Sequence, residues 1–133
     1  MSERELPRIL VVDDEPFMRT TVKAMLRMVG RFKVLEAEDG TDALEKVGSF
    51  KPDLIICDIG MTPMGGIEFV DRLHAYDDID RQQTAVIMLT ADRSVATIMA
   101  ATRLHLAGYL VKPVSPKKLG TLVNMVLQHL NLV

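Results

Sequence analysis

Three short runs, at residues 9–12, 54–57 and 85–89, are rich in Val, Ile and Leu and hardly alternate with polar residues. Strands covered on both faces read this way, which predicts three central parallel strands. Two weaker runs, 33–37 and 108–111, are shorter or broken by polar residues, as edge strands tend to be. Helical spacing fills the gaps. Val22, Met25, Leu26 and Val29 fall at i, i+3, i+4 and i+7, and Val95, Ile98, Met99 and Thr102 repeat the pattern, so each helix is expected to lay that face on the sheet. Leu119, Leu122, Val123, Val126 and Leu130 form a third stripe, with Lys117, Lys118, Asn124 and Gln128 off it, predicting a last helix from about Ser115. Segments 41–50 and 66–75 complete five helices. Thr41 is placed to cap the first of these, and Pro52 discourages helix just before it, making Lys51 and Pro52 a turn.

Strands that alternate with helices through short connections predict an α/β fold with right-handed crossovers. The expected architecture is a doubly wound, flavodoxin-like five-stranded parallel sheet in the order 2-1-3-4-5, flanked by five helices. At 133 residues the chain suits one domain, placed at 8–130 behind a tail at 1–7.

In open parallel sheets, ligands bind outside the carboxyl ends of the strands. Asp13 and Asp14 follow the first run, Asp58 the third and Thr90 the fourth, and Lys112 and Pro113 follow the fifth. Each alone reads as a solvated loop or a helix cap. Together they place three carboxylates, a hydroxyl and an ammonium on one rim. Carboxylates 4 Å apart repel by roughly 4 kcal/mol per pair at an effective dielectric near 20, so the cluster calls for a cation. Hard oxygen ligands select Mg²⁺ or Mn²⁺, and Lys112 adds a second positive centre. That assembly suits phosphoryl transfer, with one Asp as nucleophile forming an aspartyl phosphate. The loop after the first strand, Asp-Asp-Glu-Pro, is no glycine-rich cradle for a nucleotide or flavin phosphate.

Sixteen basic against eighteen acidic residues give a net charge of -2, and no basic patch stands out, which argues against direct nucleic-acid binding. No apolar run approaches the length of a membrane span, and the first residues are charged where a signal peptide needs an apolar core, so a cytoplasmic protein without membrane insertion is expected. Cys57, flanked by Ile55 and Ile56, reads as a reduced, buried thiol.

The motifs Val-Val-Asp-Asp-Glu-Pro at 11–16, Ile-Ile-Cys-Asp-Ile-Gly-Met at 55–61, Met-Leu-Thr-Ala at 88–91 and Gly-Tyr-Leu-Val-Lys-Pro at 108–113 resemble the receiver domain of two-component response regulators over about residues 8 to 130. The resemblance is to stand-alone, chemotaxis-regulator-like receivers, with no attached output domain expected after the last helix. It implies a phospho-acceptor in a two-component system or phosphorelay, not an enzyme beyond its own phosphorylation and dephosphorylation. Asp58 would take the phosphoryl group from a phosphohistidine on a histidine kinase or histidine phosphotransfer protein. Asp14 and Asp58 would bind Mg²⁺ directly, Asp13 mainly through water, and the Gly60 carbonyl would complete the protein ligands. Thr90 and Lys112 would contact the phosphoryl oxygens, and the Lys112–Pro113 bond would be cis. Tyr109 matches the family's switch aromatic, expected to turn inward when Thr90 moves. The face formed by the fourth helix, fifth strand and fifth helix would then change its affinity for a downstream target protein, in a monomer or weak dimer.

This chain has Met61-Thr62-Pro63-Met64-Gly65-Gly66 where the family usually has Met-Pro-x-Met-Asp/Asn-Gly, with loop length preserved. By the resemblance, Gly60 and Asp92, two places after Asp58 and Thr90, would occupy positions that in this family influence how water reaches the acyl phosphate. An Asp-nucleophile Mg²⁺ phosphatase would want an acid/base Asp at Gly60. The other alternative is a receiver-like interaction module that works without phosphorylation. His74, His105 and His129, on three expected helices, lack the spacing of a metal motif. Met25, Met88 and Met99 are expected in the core, and Asp77, Asp78 and Asp80 in a solvated loop. Gly65 and Gly66 read as a turn leading into a helix.

Overall fold

The computed structural model describes residues 6–75, 84–91 and 94–132. The elements run β1 (Arg8–Val12), α1 (Pro16–Val29), β2 (Lys33–Ala37), α2 (Gly40–Phe50), β3 (Leu54–Asp58), α3 (Gly66–Ala75), β4 (Ala85–Thr90), α4 (Val95–Thr102), β5 (Gly108–Val111) and α5 (Pro116–His129). All neighbouring strands pair in parallel, as the unbroken apolar runs imply, and their order is the expected β2-β1-β3-β4-β5.

The lack of alternation in the central strands has a direct cause. Successive side chains point to opposite faces, and helices cover both. Ile9, Val11, Leu54, Ile56, Ile87 and Leu89 pack on one face with Val22 and Leu26 of α1 and Leu119, Val123, Val126 and Leu127 of α5. Leu10, Val12, Ile55, Cys57, Val86 and Met88 pack on the other with Ala43 of α2 and Phe69, Val70 and Leu73 of α3. Each fully buried side chain of this size contributes about 1.5–3 kcal/mol relative to exposure, so both halves of the sandwich are strongly held. Cys57 is fully buried as expected, and burial pushes its thiol well above the ordinary range.

Three sequence expectations give way here. The stripe Val95, Ile98 and Met99 does not face the sheet: these side chains are 72%, 40% and 55% exposed, and Thr102 is exposed too. Ala101 and, just past the helix, Leu104 are buried instead, with Thr97 and Ala100 half-buried. An eight-residue helix that is apolar nearly all round offers two phases of the same spacing, and the alanine-rich one allows the closer approach. Met99 therefore leaves the core set, while Met88 is fully buried and Met25 packs at its margin. Helix α2 is capped by Asp39, whose side chain accepts from Asp42 N, so Thr41 lies inside the helix. His105 is not helical; it follows α4 in a left-handed conformation, φ 55°.

Candidate functional site

The register brings the polar rim together. Val12 pairs with Cys57, so Asp13 emerges beside Asp58; Asp58 pairs with Leu89, and Thr90 with Val111, one residue before Lys112. Backbone bonds carry this register past the strand ends, from Asp13 N to Ala37 O (3.1 Å), Ile59 N to Leu89 O (3.0 Å) and Lys112 N to Thr90 O (2.7 Å).

Asp13, Asp58 and Thr90 are the buried polar residues among those described, whereas Asp14 is exposed. One carboxylate oxygen each from Asp13, Asp14 and Asp58 lies within 4.8 Å of the others. Lys112 Nζ donates to Asp13 Oδ2 at 3.3 Å and pairs with Asp58 Oδ1 at 3.1 Å. Asp13 Oδ1 accepts from Glu15 N at 2.9 Å, an Asx turn that ends β1 and leads into Pro16 at the start of α1. Two of the three carboxylates thus share one ammonium, and the rim keeps an excess of negative charge. That donor set fits a hard divalent cation bound through oxygen.

The electrostatics carry the same mark. Burial pushes the Asp13 carboxyl above its ordinary value, and Asp58 pushes the same way, against the Glu15 N–H and Lys112. Burial pulls Lys112 down, but the hydrogen bond to Asp58 and the charges of Asp58 and Asp13 outweigh it, so the ammonium sits above its ordinary value. The carboxylates hold the lysine charged, and Asp13 is charged at a cost to the fold. In metal-free protein, Asp13→Asn is therefore expected to raise the thermal midpoint. With the folded value above the unfolded one near 3.8, the native chain binds more protons between those two values, and this carboxyl's contribution falls as pH rises through that window. The variant should lack that slope in thermal melts across acid pH, in chelator, while losing divalent-metal affinity.

Beyond Asp58 the chain turns through a loop that its own backbone holds. Gly66 N and Met61 N donate to Ile59 O (2.9 and 3.2 Å), Phe69 N donates to Gly65 O, and Gly40 N at the start of α2 donates to Met64 O (3.0 Å). Met64 lies over Gly40, where an added Cβ would come within 2.6 Å of its Cγ. The displaced proline is accommodated in this loop, in which Thr62–Pro63 is cis, as is Lys112–Pro113. Gly60 is exposed, and a Cβ there would meet nothing within 4 Å.

The sequence of the response regulator receiver domain family matches residues 9–124. The chain belongs to this receiver family. It is 40% identical over 119 residues to the Regulator of RpoS of Escherichia coli (strain K12) and to that of Shigella flexneri, an overlap of 90% of this chain and 33% of each relative. The receiver thus spans about a third of the length of these curated relatives. Among solved structures, the Vibrio cholerae chemotaxis protein CheY4 superposes with a TM-score of 0.81 at 31% identity, covering 91% of this chain and 98% of that one. A CheY-like response regulator receiver domain protein from Methanospirillum hungatei JF-1 gives a TM-score of 0.85 at 25% identity, covering 96% and 98%. Receivers of this family are signalling phospho-acceptors of two-component systems.

The receiver's rim therefore brings Asp13, Asp14, Asp58 and Lys112 into one cluster, with Thr90 buried at the end of β4 and Gly60 exposed two residues past Asp58. Tyr109 is half-buried on β5 against the face that carries Phe69 and Met88. Asp92 and the acidic positions Asp77, Asp78 and Asp80 lie outside the described residues, as does most of the 1–7 tail. Among the described residues no helix is long and apolar enough to cross a membrane.

Sequence reasoning passed over Arg19. Its Nη1 donates to Asp13 O at 2.7 Å and its Nε to Glu36 Oε1 at 2.8 Å, while Lys23 Nζ takes Glu36 Oε2 at 2.8 Å. The bonds from Lys23 and Arg19 hold the Glu36 carboxyl below its ordinary value. The available signal was position: one turn into a helix opened by Pro16, a basic side chain reaches back toward the loop that precedes it.

Proposed function

We propose that this receiver, spanning about residues 8–130, accepts a phosphoryl group on Asp58 from a phosphohistidine of a histidine kinase or histidine phosphotransfer protein, in the presence of Mg²⁺ or Mn²⁺. The observation that carries the reading is the Lys112 ammonium bridging Asp13 and Asp58 beside Asp14, three carboxylates on one rim with too little internal positive charge. Asp14 and Asp58 would hold the cation directly, Asp13 mainly through water, and the Gly60 carbonyl would complete the protein ligands. The cation would neutralise charge on the phosphoryl oxygens. An Asp58 carboxylate oxygen attacks phosphorus; the phosphorus–nitrogen bond breaks as the phosphorus–oxygen bond forms, and the bonding pair returns to the ring nitrogen, which takes up a proton. Lys112 and the Thr90 hydroxyl then contact the phosphoryl oxygens.

The output is a changed affinity for a partner protein in the cytoplasm, without direct contact to nucleic acid, by a monomer or weak dimer. Thr90 and Tyr109 would bias two conformations of the α4–β5–α5 face. Exposed Val95, Ile98 and Met99 on α4 support this, since apolar side chains turned away from a core supply the buried area a partner needs. The name of the relatives, Regulator of RpoS, also points to a protein target. Moving such a switch from 1:99 to 99:1 takes about 5.5 kcal/mol of differential stabilisation. The phosphatase alternative lacks its second carboxylate, because Gly60 stands where it belongs.

Intact-mass spectrometry after incubation with a small-molecule phosphodonor, with and without Mg²⁺, tests the reading. A gain of one phosphoryl mass that depends on the metal is expected. No gain on folded, Mg²⁺-replete protein would favour the interaction module that works unphosphorylated.

A further inference from the structure

We infer that Arg19 is a positioning residue for the metal-binding carboxylates, acting through the Asp13–Asp14 peptide; this rests on the metal reading above. Asp14 is exposed, so its place depends on its backbone. The carbonyl of Asp13 belongs to the peptide that joins it to Asp14, and because a peptide is planar, the direction of that C=O sets where the Asp14 N and Cα go. Arg19 Nη1 holds this carbonyl at 2.7 Å. The guanidinium is a rigid planar fork, and its Nε is fixed at 2.8 Å to Glu36 Oε1, a residue of β2. Glu36 is steadied in turn by Lys23 on its other oxygen and by Lys46 Nζ on its backbone carbonyl, at 2.7 Å. The Asp13 N–H also bonds to β2, at Ala37 O. Both backbone groups of Asp13 are therefore referred to the same strand, one directly and one through Arg19. The Arg19 side chain is 16% exposed, so water competes little for these bonds.

The sign of the effect separates positioning from charge. A cation this close to the carboxylates disfavours a bound divalent ion, so if charge were all that mattered, removing it would tighten metal binding. Positioning requires the reverse. It also predicts ion selectivity, because Mg²⁺ demands near-ideal octahedral ligands whereas Ca²⁺ tolerates irregular ones.

The test is Mn²⁺ binding to the full chain followed by electron paramagnetic resonance, with Mg²⁺ and Ca²⁺ as competitors, for the native protein, Arg19→Met and Arg19→Lys. The lysine variant keeps the charge and the aliphatic stem but cannot hold Asp13 O and Glu36 in one fixed plane. Both variants are expected to bind Mn²⁺ and Mg²⁺ about 10- to 100-fold more weakly, the range found when a group that orients a metal ligand is lost, with a smaller loss for Ca²⁺. Native affinity in Arg19→Lys, tighter binding in Arg19→Met, or equal losses for Mg²⁺ and Ca²⁺ would each overturn the inference. If Arg19→Met does not fold, Arg19→Lys decides alone. Native protein that binds no Mn²⁺ would overturn the metal reading, and this inference with it.

Discussion

Asp58→Asn is expected to abolish phosphoryl uptake from a small-molecule donor while leaving the fold in place. The amide has nearly the shape of the carboxylate but no anionic oxygen to attack phosphorus, so the loss should be complete rather than graded. Two other carboxylates, Asp13 and Asp14, lie within the same 4.8 Å cluster and would be the competing acceptors. Asp13 is a poor one, because its oxygens are engaged by Glu15 N and Lys112. Asp14 is exposed within the turn that follows β1, whereas Asp58 is the last residue of the central strand β3. Intact mass with and without Mg²⁺ reads the outcome, and circular dichroism confirms that the variant is folded. Persistent metal-dependent labelling of Asp58→Asn would move the acceptor to another residue of the cluster.

Gly66→Ala should cost stability on a scale of about 1–3 kcal/mol or more, since the new methyl would clash with Asp58 O and stand 3.0 Å from Ile59 Cα. Both obstacles are backbone, and both belong to the segment that carries Asp58, so no side-chain rotation relieves the clash. The chain must move β3's end away from α3, and Gly66 N would lose its 2.9 Å bond to Ile59 O. Weaker divalent-metal binding should therefore accompany the lower urea midpoint. Gly60→Ala is the matched control: its Cβ would meet nothing within 4 Å, and its melting behaviour should stay near that of the native chain. Equal urea midpoints for Gly66→Ala and the native protein would show that the loop relaxes freely, against the rigid support described for Asp58.

Much of this was legible from residue order. Strands buried on both faces need unbroken apolar runs, and 9–12, 54–57 and 85–89 supply them, so fold class and the identity of the rim residues follow from a local pattern and a general rule about strand ends. Stripes on α1 and α5 also read correctly, because each has one apolar face opposed by charged or polar positions. Three features needed the tertiary structure. The phase of α4 depends on which apolar face comes closer to the sheet, and local periodicity carries no information about that distance. The cap of α2 falls to Asp39 rather than Thr41 because β2 delivers the chain in extended form one residue before Gly40, which itself must stay small under Met64. The Arg19–Glu36 link joins an α1 side chain to a strand seventeen residues away, and only the β1–β2 register decides that the two meet beside Asp13. Sequence determines what each segment buries and which groups reach the rim, since burial and strand alternation are local properties. The spacing and orientation of those groups were decided by tertiary packing, because they arise from distances between elements far apart in the chain.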